Sequence, residues 1–298
     1  MPALKRVLIT GGSGLLGQYL NVELSKNYEL LTTYNHNIGN TIDYGSVHAD
    51  ITNLSKLKDI FDGFHPEVVI HTASVSNNEI ASQMPEDSVI SINVVATEEI
   101  AKLCEKYKAK LFYTSTDLVY DGDNGPFLRE NANIKPVSLY AETKFQGELR
   151  IRQTFGNFII LRVALLFGNG LNHSINHFQK MYQALKQNKT VNLFYDQFRS
   201  PLSLFEAARI LSQLISKDIS GEVFNFGGLQ RVSRFDMGEL LCKLTGLNEQ
   251  LLIRTSMFTI SNLPKVPDVS MNTDKLDLLN IRRKDIEESM LEIIRNFE

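Results

Sequence analysis

The stretch Thr10-Gly-Gly-Ser-Gly-Leu-Leu-Gly17 constrains the fold of this chain more than any other segment. It follows the apolar run 7–9 and opens an amphipathic run, which predicts a strand, a glycine turn and a helix. Gly11 allows the turn because positive φ costs little without a Cβ. Gly14 lets a phosphate approach the backbone, and Gly17 lets the helix pack closely on the sheet. Since N–H groups and the dipole at a helix start favour anions, the stretch predicts a pyrophosphate site for a dinucleotide.

Strands and helices alternate through the next part of the chain, which predicts parallel βαβ units. The expected fold class is therefore α/β, with a Rossmann-type doubly wound parallel sheet and a smaller C-terminal substrate-binding lobe. We expect the dinucleotide-binding domain over 1–167 and the lobe over 168–298, with segments near 202–226 as candidates for return to the first domain. The pattern also predicts a third strand at Val47–Ile51, one helix over Asp87–Tyr107 and a sixth strand at Asn157–Leu166.

Composition and charge exclude several kinds of function. The net charge of −3 shows no bias toward nucleic acid or membranes, and no apolar run approaches the ~20 residues that span a bilayer. The first residues lead directly into a strand, so we expect no signal peptide and a cytoplasmic protein. Cys104 and Cys242 fall in apolar helical patterns and are expected to be buried free thiols. His173 and His177 lack a third ligand, so no metal site is predicted and a structural or substrate-contact role is favoured.

Tyr140 and Lys144 are candidate catalytic residues. They are four residues apart in a predicted helix, so the phenol and the ammonium lie on one face. A free tyrosine has a pKa of about 10, too high for proton exchange at neutral pH. A lysine and a positively charged nicotinamide nearby are expected to lower that pKa, so that Tyr140 acts as a general acid toward a carbonyl oxygen.

These motifs resemble a known family. Glycines at positions 11, 14 and 17, together with Tyr140-x-x-x-Lys144, resemble the extended short-chain dehydrogenases/reductases. Within that group the chain resembles the dTDP-4-dehydrorhamnose reductases. The segments that carry this closer resemblance are 115–122, 126–130, 140–144, 161–168, 196–201 and 272–276.

The resemblance implies reduction of a nucleotide-linked 4-keto-6-deoxy sugar by NADPH or NADH. It implies that Thr116 polarises the carbonyl, with Ser115 as the alternative, that Tyr140 donates the proton, and that Lys144 holds the nicotinamide ribose. Contacts to the substrate are expected from Ser115, Asp117 and Val119. A nucleotide sugar is thus the expected partner, and the sequence leaves open whether the chain forms a homodimer.

Cofactor contacts are also implied by the resemblance. The residues expected at the dinucleotide are Gly11, Ser13, Gly14, Leu15, Leu16, Gly17, Tyr34, Asn35, His36, Asp50, Ile51, His71, Thr72, Ala73, Ser74, Tyr140 and Lys144. In NAD-binding proteins an acid at the end of the second strand hydrogen-bonds the ribose 2′-hydroxyl. In NADP-binding proteins an arginine there accommodates the 2′-phosphate. Residues 34–37 are neutral, which favours NADPH slightly and leaves NADH as the alternative.

Two departures from the family and two alternative functions stay open. Sugar-nucleotide dehydratases carry Asp-Glu after the threonine, whereas Leu118 follows Asp117 here, which argues against dehydration. Val266 stands where the reductases usually have arginine, which puts substrate contacts from the second lobe in question. The family branch also includes the regulatory β subunit of methionine adenosyltransferase, so a cofactor-binding subunit without catalysis is the first alternative. A sugar-nucleotide epimerase is the second.

Asn93 and a short basic run complete the residues of interest. Asn93 matches a family asparagine near the active site, and a helix-packing role fits it equally well. The run Arg282-Arg283-Lys284 is interpreted as solvated surface.

Overall fold

A seven-stranded parallel sheet forms the centre of the protein, which we describe from a computed structural model over residues 4–261 and 264–296. The strands of this sheet follow the order β11-β6-β5-β4-β1-β2-β3. They are β1 (Arg6–Thr10), β2 (Glu29–Tyr34), β3 (Ser46–His48), β4 (Val68–His71), β5 (Lys110–Thr116), β6 (Phe158–Val163) and β11 (Glu222–Phe226). This order reverses beside β1, which confirms the doubly wound α/β fold expected from the sequence.

Helices cover both faces of the sheet. The longer helices of the fold are α1 (Leu15–Leu24), α2 (Leu54–Phe64), α5 (Ala96–Tyr107), α6 (Leu139–Thr154), α7 (His177–Lys186), α8 (Leu204–Ile215), α9 (Arg234–Thr245) and α11 (Ile286–Arg295). Of these, α7, α9 and α11 pack in a separate C-terminal core. The short ones are α3 (Asn78–Gln83), α4 (Glu86–Ile90) and α10 (Asp274–Asp277). On one face α1 and α8 pack on Val7 and Ile9, and on the other α2, α5 and α6 pack on Leu8. Side chains of a strand alternate between faces, so β1 contributes to both cores.

Three elements end at other residues than the sequence predicted. Strand β3 stops at His48, so Asp50 and Ile51 lie in the turn that follows. The helix expected over 87–107 contains a π-helical segment, Ser91–Val95, between α4 and α5. The sixth strand ends at Val163, and Leu166–Phe167 form a separate strand, β7.

The C-terminal half holds three two-stranded pairs. Strand β7 pairs with β10 (Leu202–Ser203), β8 (Val191–Phe194) with β13 (Leu252–Thr255), and β9 (Phe198–Arg199) with β12 (Val232–Ser233). Apolar side chains of β7, β8, β12 and β13 share a core with α7, α9 and α11. Strand β11 nevertheless extends the central sheet beside β6, and α8 lies on α1, so this part of the chain returns to the sheet. The boundary at 167/168 stays a prediction.

The interpretation of the basic run 282–284 as solvated surface was wrong for one of its residues. Arg283 is buried, not solvated, and its guanidinium hydrogen-bonds to the hydroxyl of Thr273 and to both carboxylate oxygens of Asp277.

Cys104 and Cys242 are free and buried. Within the described ranges, no helix combines the length and the apolar character that crossing a membrane requires.

Candidate active site

The glycine turn between β1 and α1 leaves an open cradle at the helix start. Gly11 has φ +73°, and a Cβ there would lie 2.6 Å from the backbone nitrogen of Ala73. A Cβ on Gly17 would lie 2.3 Å from the carbonyl oxygen of Gly11, whereas on Gly14 it would meet only that oxygen, at 3.2 Å. Helix α1 has no side-chain cap and no acid in its first turn. Its first N–H groups lack intrahelical partners, so these residues fit a pyrophosphate.

The end of β2 and the turn after β3 lie side by side, next to the glycine turn. The ring of Tyr34 stacks edge-on against His48, with ring centroids 5.5 Å apart. Asp50 accepts hydrogen bonds from the backbone nitrogen and hydroxyl of Thr52, at 2.8 and 2.7 Å. The Thr52 N–H lowers the pKa of Asp50 most, and His36 and Asn35 lower it further. The expected adenosine residues therefore lie within reach of one another.

The segment after β4 closes the inner side of the cradle. The Thr72 hydroxyl donates to the carbonyl oxygen of Thr10 at 2.8 Å, which ties this segment to β1. His71 differs from expectation, because its ring is fully buried and contacts the hydroxyls of Thr10 (2.7 Å) and Thr97 (3.0 Å). Burial lowers the pKa of His71 to about 3, so the ring is neutral. Its side chain therefore supports the packing around β1 and β4.

Thr116 and Tyr140 come together at the carboxyl edge of the sheet. Thr116 ends β5, and Tyr140 lies in the first turn of α6, where Ser138 caps the helix. Thr116 lies close enough to the phenol of Tyr140 to lower its pKa. Burial has the larger effect and raises the pKa of Tyr140 to about 12, and the charge of Asp117 raises it further. Tyr140 therefore carries its proton at neutral pH.

Lys144 lies one helical turn beyond Tyr140 and is 2% exposed. Its Nζ lies 4.3 Å from the centroid of the Tyr113 ring. Burial lowers the pKa of Lys144 to about 7, and the nearby charge of Glu148 opposes that shift. A buried amine with a pKa near neutrality exchanges protons easily, and such shifts cluster at functional sites.

Ser115 and Val119 lie away from the site that the sequence assigned to them. The Ser115 hydroxyl donates to the buried carboxylate of Glu148 at 2.5 Å, beneath the helix. The Val119 side chain is fully buried in an apolar cluster with Tyr120 and Val266. Side chains of a strand alternate, so Ser115 faces away from the side that carries Thr116. These contacts do not fit direct substrate binding.

Asn93 in the π-helical segment joins three parts of the site. Its side-chain oxygen accepts from the backbone nitrogen of Val75 at 2.8 Å, and its amide donates to the hydroxyl of Thr143 at 3.0 Å. One residue therefore holds the segment after β4 against α6. A π-helical turn is frequent at functional sites because it re-aims one side chain. The packing role that the sequence left open is therefore observed, and the role near the active site stays a prediction.

Asp117 contributes a buried carboxylate beside Tyr140. Its Oδ2 lies 3.5 Å from Nε of Arg199. Burial raises the pKa of Asp117, and Arg199 opposes that shift. His177 begins α7 and is exposed. Among the described residues no three potential metal ligands cluster.

Sequence reasoning missed two arginines at this site. Arg162 on β6 pairs with Glu148, and Arg199 on β9 pairs with Asp117. The spacing of Tyr140, Lys144 and Glu148 could have indicated that Glu148 shares their helix face. No local signal relates Arg162 or Arg199 to α6 or β5, since both contacts depend on how distant strands pack.

Comparisons with known proteins agree with this geometry. A family model described as RmlD substrate binding domain matches residues 5–298. Methionine adenosyltransferase 2 subunit beta of Xenopus laevis is 26% identical over 94% of this chain and 84% of its own length. The dTDP-4-dehydrorhamnose reductase of Aggregatibacter actinomycetemcomitans is 30% identical over 74% of this chain and 71% of its own. The solved dTDP-4-dehydrorhamnose reductase of Bacillus anthracis in complex with NADP has a TM-score of 0.86 at 22% identity, covering 98% of this chain and 99% of that one.

Proposed function

Because the chain belongs to the RmlD substrate binding domain family, as its motifs predicted, we propose that it is an NADPH-dependent reductase of a nucleotide-linked 4-keto-6-deoxy sugar, most like dTDP-4-dehydrorhamnose. The observation that carries this proposal is that Thr116 ends β5 beside the start of α6, where Tyr140 and Lys144 lie buried one turn apart. This group lies at the same sheet edge as the glycine cradle. The edge beyond the carboxyl ends of the strands is where doubly wound folds bind ligands.

The dinucleotide supplies the hydride when it is bound. The chain's own residues handle the carbonyl oxygen: Thr116 donates a hydrogen bond to it, and Tyr140 gives it a proton as the negative charge develops. Tyr140 suits the role of acid because it is protonated at neutral pH. Lys144 holds the nicotinamide ribose from the same helix face. The buried position of both groups excludes water from the proton transfer.

NADPH is the cofactor in this proposal. The neutral residues 34–37 bring no carboxylate against a 2′-phosphate. The solved Bacillus anthracis reductase was obtained with NADP, which supports the same choice. The pyrophosphate lies on Gly11, Ser13, Gly14, Leu15, Leu16 and Gly17, and the other expected contacts are Tyr34, Asn35, His36, Asp50, Ile51, Thr72, Ala73 and Ser74. We place the activity in the cytoplasm, because thiols such as those of the two free cysteines stay reduced there.

A binding subunit without catalysis is the second candidate. The similarity to methionine adenosyltransferase 2 subunit beta, which spans 94% of this chain, favours it. The buried Val266 in place of the expected arginine points the same way. The joint presence of Thr116, Tyr140 and Lys144 favours the reductase, because a protein kept only for binding has no need of all three.

One experiment separates the two candidates. Purified protein is incubated with NADPH and dTDP-4-dehydro-L-rhamnose, then with a panel of other keto-sugar nucleotides, and NADPH oxidation is followed by absorbance. The reductase requires oxidation that depends on both the sugar and Tyr140. Failure to oxidise NADPH with every sugar, while NADPH still binds, would reject the reductase and leave the binding subunit.

A further inference from the structure

The Tyr113 side chain packs between strand β5 and the amine of Lys144. Its ring is completely buried, and Lys144 is 2% exposed. The Lys144 Nζ lies over the face of the ring, 4.3 Å from the ring centroid. A cation is attracted to the face of an aromatic ring, and the attraction is stronger where both groups are withdrawn from water. The contact therefore stabilises the charged form of the amine.

The carboxylate nearest along α6 is engaged elsewhere. Both oxygens of Glu148, one turn beyond Lys144, bind the guanidinium of Arg162, at 3.1 and 2.9 Å. Among the described residues no carboxylate forms an ion pair with the Lys144 amine. The charge of Glu148 still raises the pKa of Lys144, but burial has the larger effect and lowers it to about 7.

The other titratable groups around this amine are neutral at neutral pH. On β4, the His71 ring packs at a tilt against the Tyr113 ring, with centroids 5.6 Å apart, and its pKa is lowered to about 3. On α6, Tyr140 lies one turn before Lys144 and keeps its proton, because burial raises its pKa to about 12. The Tyr113 ring is therefore the group in direct contact that favours the ammonium.

Helix α6 is shaped to accept the Tyr113 side chain. The phenol hydroxyl donates to the backbone carbonyl oxygen of Lys144 at 3.3 Å. A Cβ on Gly147 would lie 2.5 Å from the same hydroxyl, so the helix has room for it because residue 147 has no side chain. The backbone and the amine of Lys144 thus both contact Tyr113. These contacts fix the ring relative to the amine above it.

We propose that Tyr113 is a positioning residue, whose ring holds the Lys144 ammonium in place and keeps it charged for the nicotinamide ribose. The proposal rests on the function proposed above, in which Lys144 binds that ribose. Tyr113 acts through Lys144, since its own side chain is completely buried. An ammonium has three donors. A ring against one side of it leaves donors on the other side for the ribose hydroxyls.

Phe112 provides a matched control. It is the neighbouring residue on β5 and is also completely buried, but its ring packs on the opposite face of the sheet with Val7 and Ile9. Tyr113→Met and Phe112→Met each remove one buried ring and replace it with a flexible side chain that fills irregular space. Only Tyr113→Met removes the ring from Lys144.

The test is the pH dependence of stability, measured on the whole chain without added cofactor. Each variant is compared with the same variant carrying Lys144→Met. The difference in the free energy of unfolding begins to rise at the pKa of folded Lys144, because above it the unfolded chain binds more protons. Loss of the ring disfavours the charged amine, so Tyr113→Met should move this onset at least ~0.5 pH unit lower. Phe112→Met should leave it within ~0.2 unit of the parent.

A second variant preserves the shape of the side chain. Pentafluorophenylalanine at position 113 keeps a six-membered ring, but its fluorines withdraw the negative charge from the ring face. The onset for this protein should lie lower than for Tyr113→Phe, which keeps an ordinary ring and should behave like the parent. At about pH 7, Tyr113→Met should also raise the Kd for NADPH at least ~3-fold, whereas Phe112→Met leaves it unchanged.

The proposal is overturned if Tyr113→Met folds and keeps the onset of the parent, or if the fluorinated ring and the ordinary ring give the same onset. Its failure is distinct from failure of the reductase. Turnover of a keto sugar with an onset that does not depend on the ring rejects only the role of Tyr113. A ring-dependent onset without turnover of any sugar rejects only the reductase.

Discussion

Glu148 and Arg162 form a bidentate ion pair that is almost completely excluded from solvent. The guanidinium Nε lies 3.1 Å from Oε1 of the carboxylate, and Nη2 lies 2.9 Å from Oε2. Glu148 is on α6, one turn beyond Lys144, and Arg162 is on β6. Arg162 also donates to the Tyr120 hydroxyl at 2.8 Å. The pair therefore fixes the helix that carries Tyr140 and Lys144 against the sheet.

Breaking that pair should destabilise the protein strongly. Glu148→Gln leaves the Arg162 cation buried without a counter-charge, which typically costs ~3–5 kcal/mol. Urea denaturation followed by circular dichroism measures the change in the free energy of unfolding. Glu142→Gln, on the same helix but partly exposed, is the control and should stay within about 0.5 kcal/mol of the parent. Equal stability of the two variants would show that the pair contributes little to holding α6.

Tyr140→Phe should separate chemistry from binding. It removes one hydroxyl, so NADPH affinity should persist while turnover falls by ~10²–10⁴-fold, the usual contribution of a general acid. Steady-state NADPH oxidation and a separate NADPH titration measure the two effects. Tyr28→Phe is the control, since Tyr28 precedes β2 at the opposite edge of the sheet. Parent-like turnover of Tyr140→Phe would mean that another group supplies the proton.

Gly14→Val should block the cofactor while leaving the fold intact. Its Cβ meets only the Gly11 carbonyl oxygen, and the added methyl groups extend into the space proposed for pyrophosphate. We expect the Kd for NADPH, measured by nicotinamide fluorescence, to rise at least ~10-fold. Gly17→Val should instead lower the melting temperature, because its Cβ would lie 2.3 Å from the Gly11 carbonyl oxygen. Unchanged NADPH affinity in Gly14→Val is the outcome that would remove the cradle from the cofactor site.

Lys144 should make stability depend on pH in a defined direction. Burial lowers its pKa from 10.5 to about 7 in the folded protein, so below about pH 7 the amine is charged in both states and the cost of burying it is fully present. Between those two pKa values the unfolded state binds more protons, so the free energy of unfolding rises with pH. The slope from this group approaches about 1.4 kcal/mol per pH unit.

Comparison with Lys144→Met isolates this contribution. The variant has no amine, so the stability of the parent should rise relative to the variant between pH 7 and 10. Denaturation at intervals of one pH unit measures the difference. Parallel pH curves for the two proteins would contradict a lowered pKa at Lys144.

Much of the fold followed from local patterns. Clear local signals bracket some elements, such as the Asn53 side chain that caps α2 at its first turn. The predicted bounds of β3 and β6 were wrong because apolar residues continue past the last ladder hydrogen bond, and periodicity does not mark where pairing ends. The π-helical segment around Asn93 has the same apolar spacing as an ordinary helix, so the pattern concealed it.

The candidate site divides in the same way. By itself the sequence determined the glycine turn at 11–17 and the shared helix face of Tyr140 and Lys144, because both depend on spacing within one turn or one helix. Only the tertiary structure decided that the Ser115 hydroxyl donates to Glu148 and that His71 is buried. It also decided that the Arg199 guanidinium lies beside the carbonyl oxygen of Val266. It also decided that Tyr140 is buried, which raises the pKa of its phenol. Burial and long-range charge pairs arise when distant segments pack together, and no local spacing encodes them.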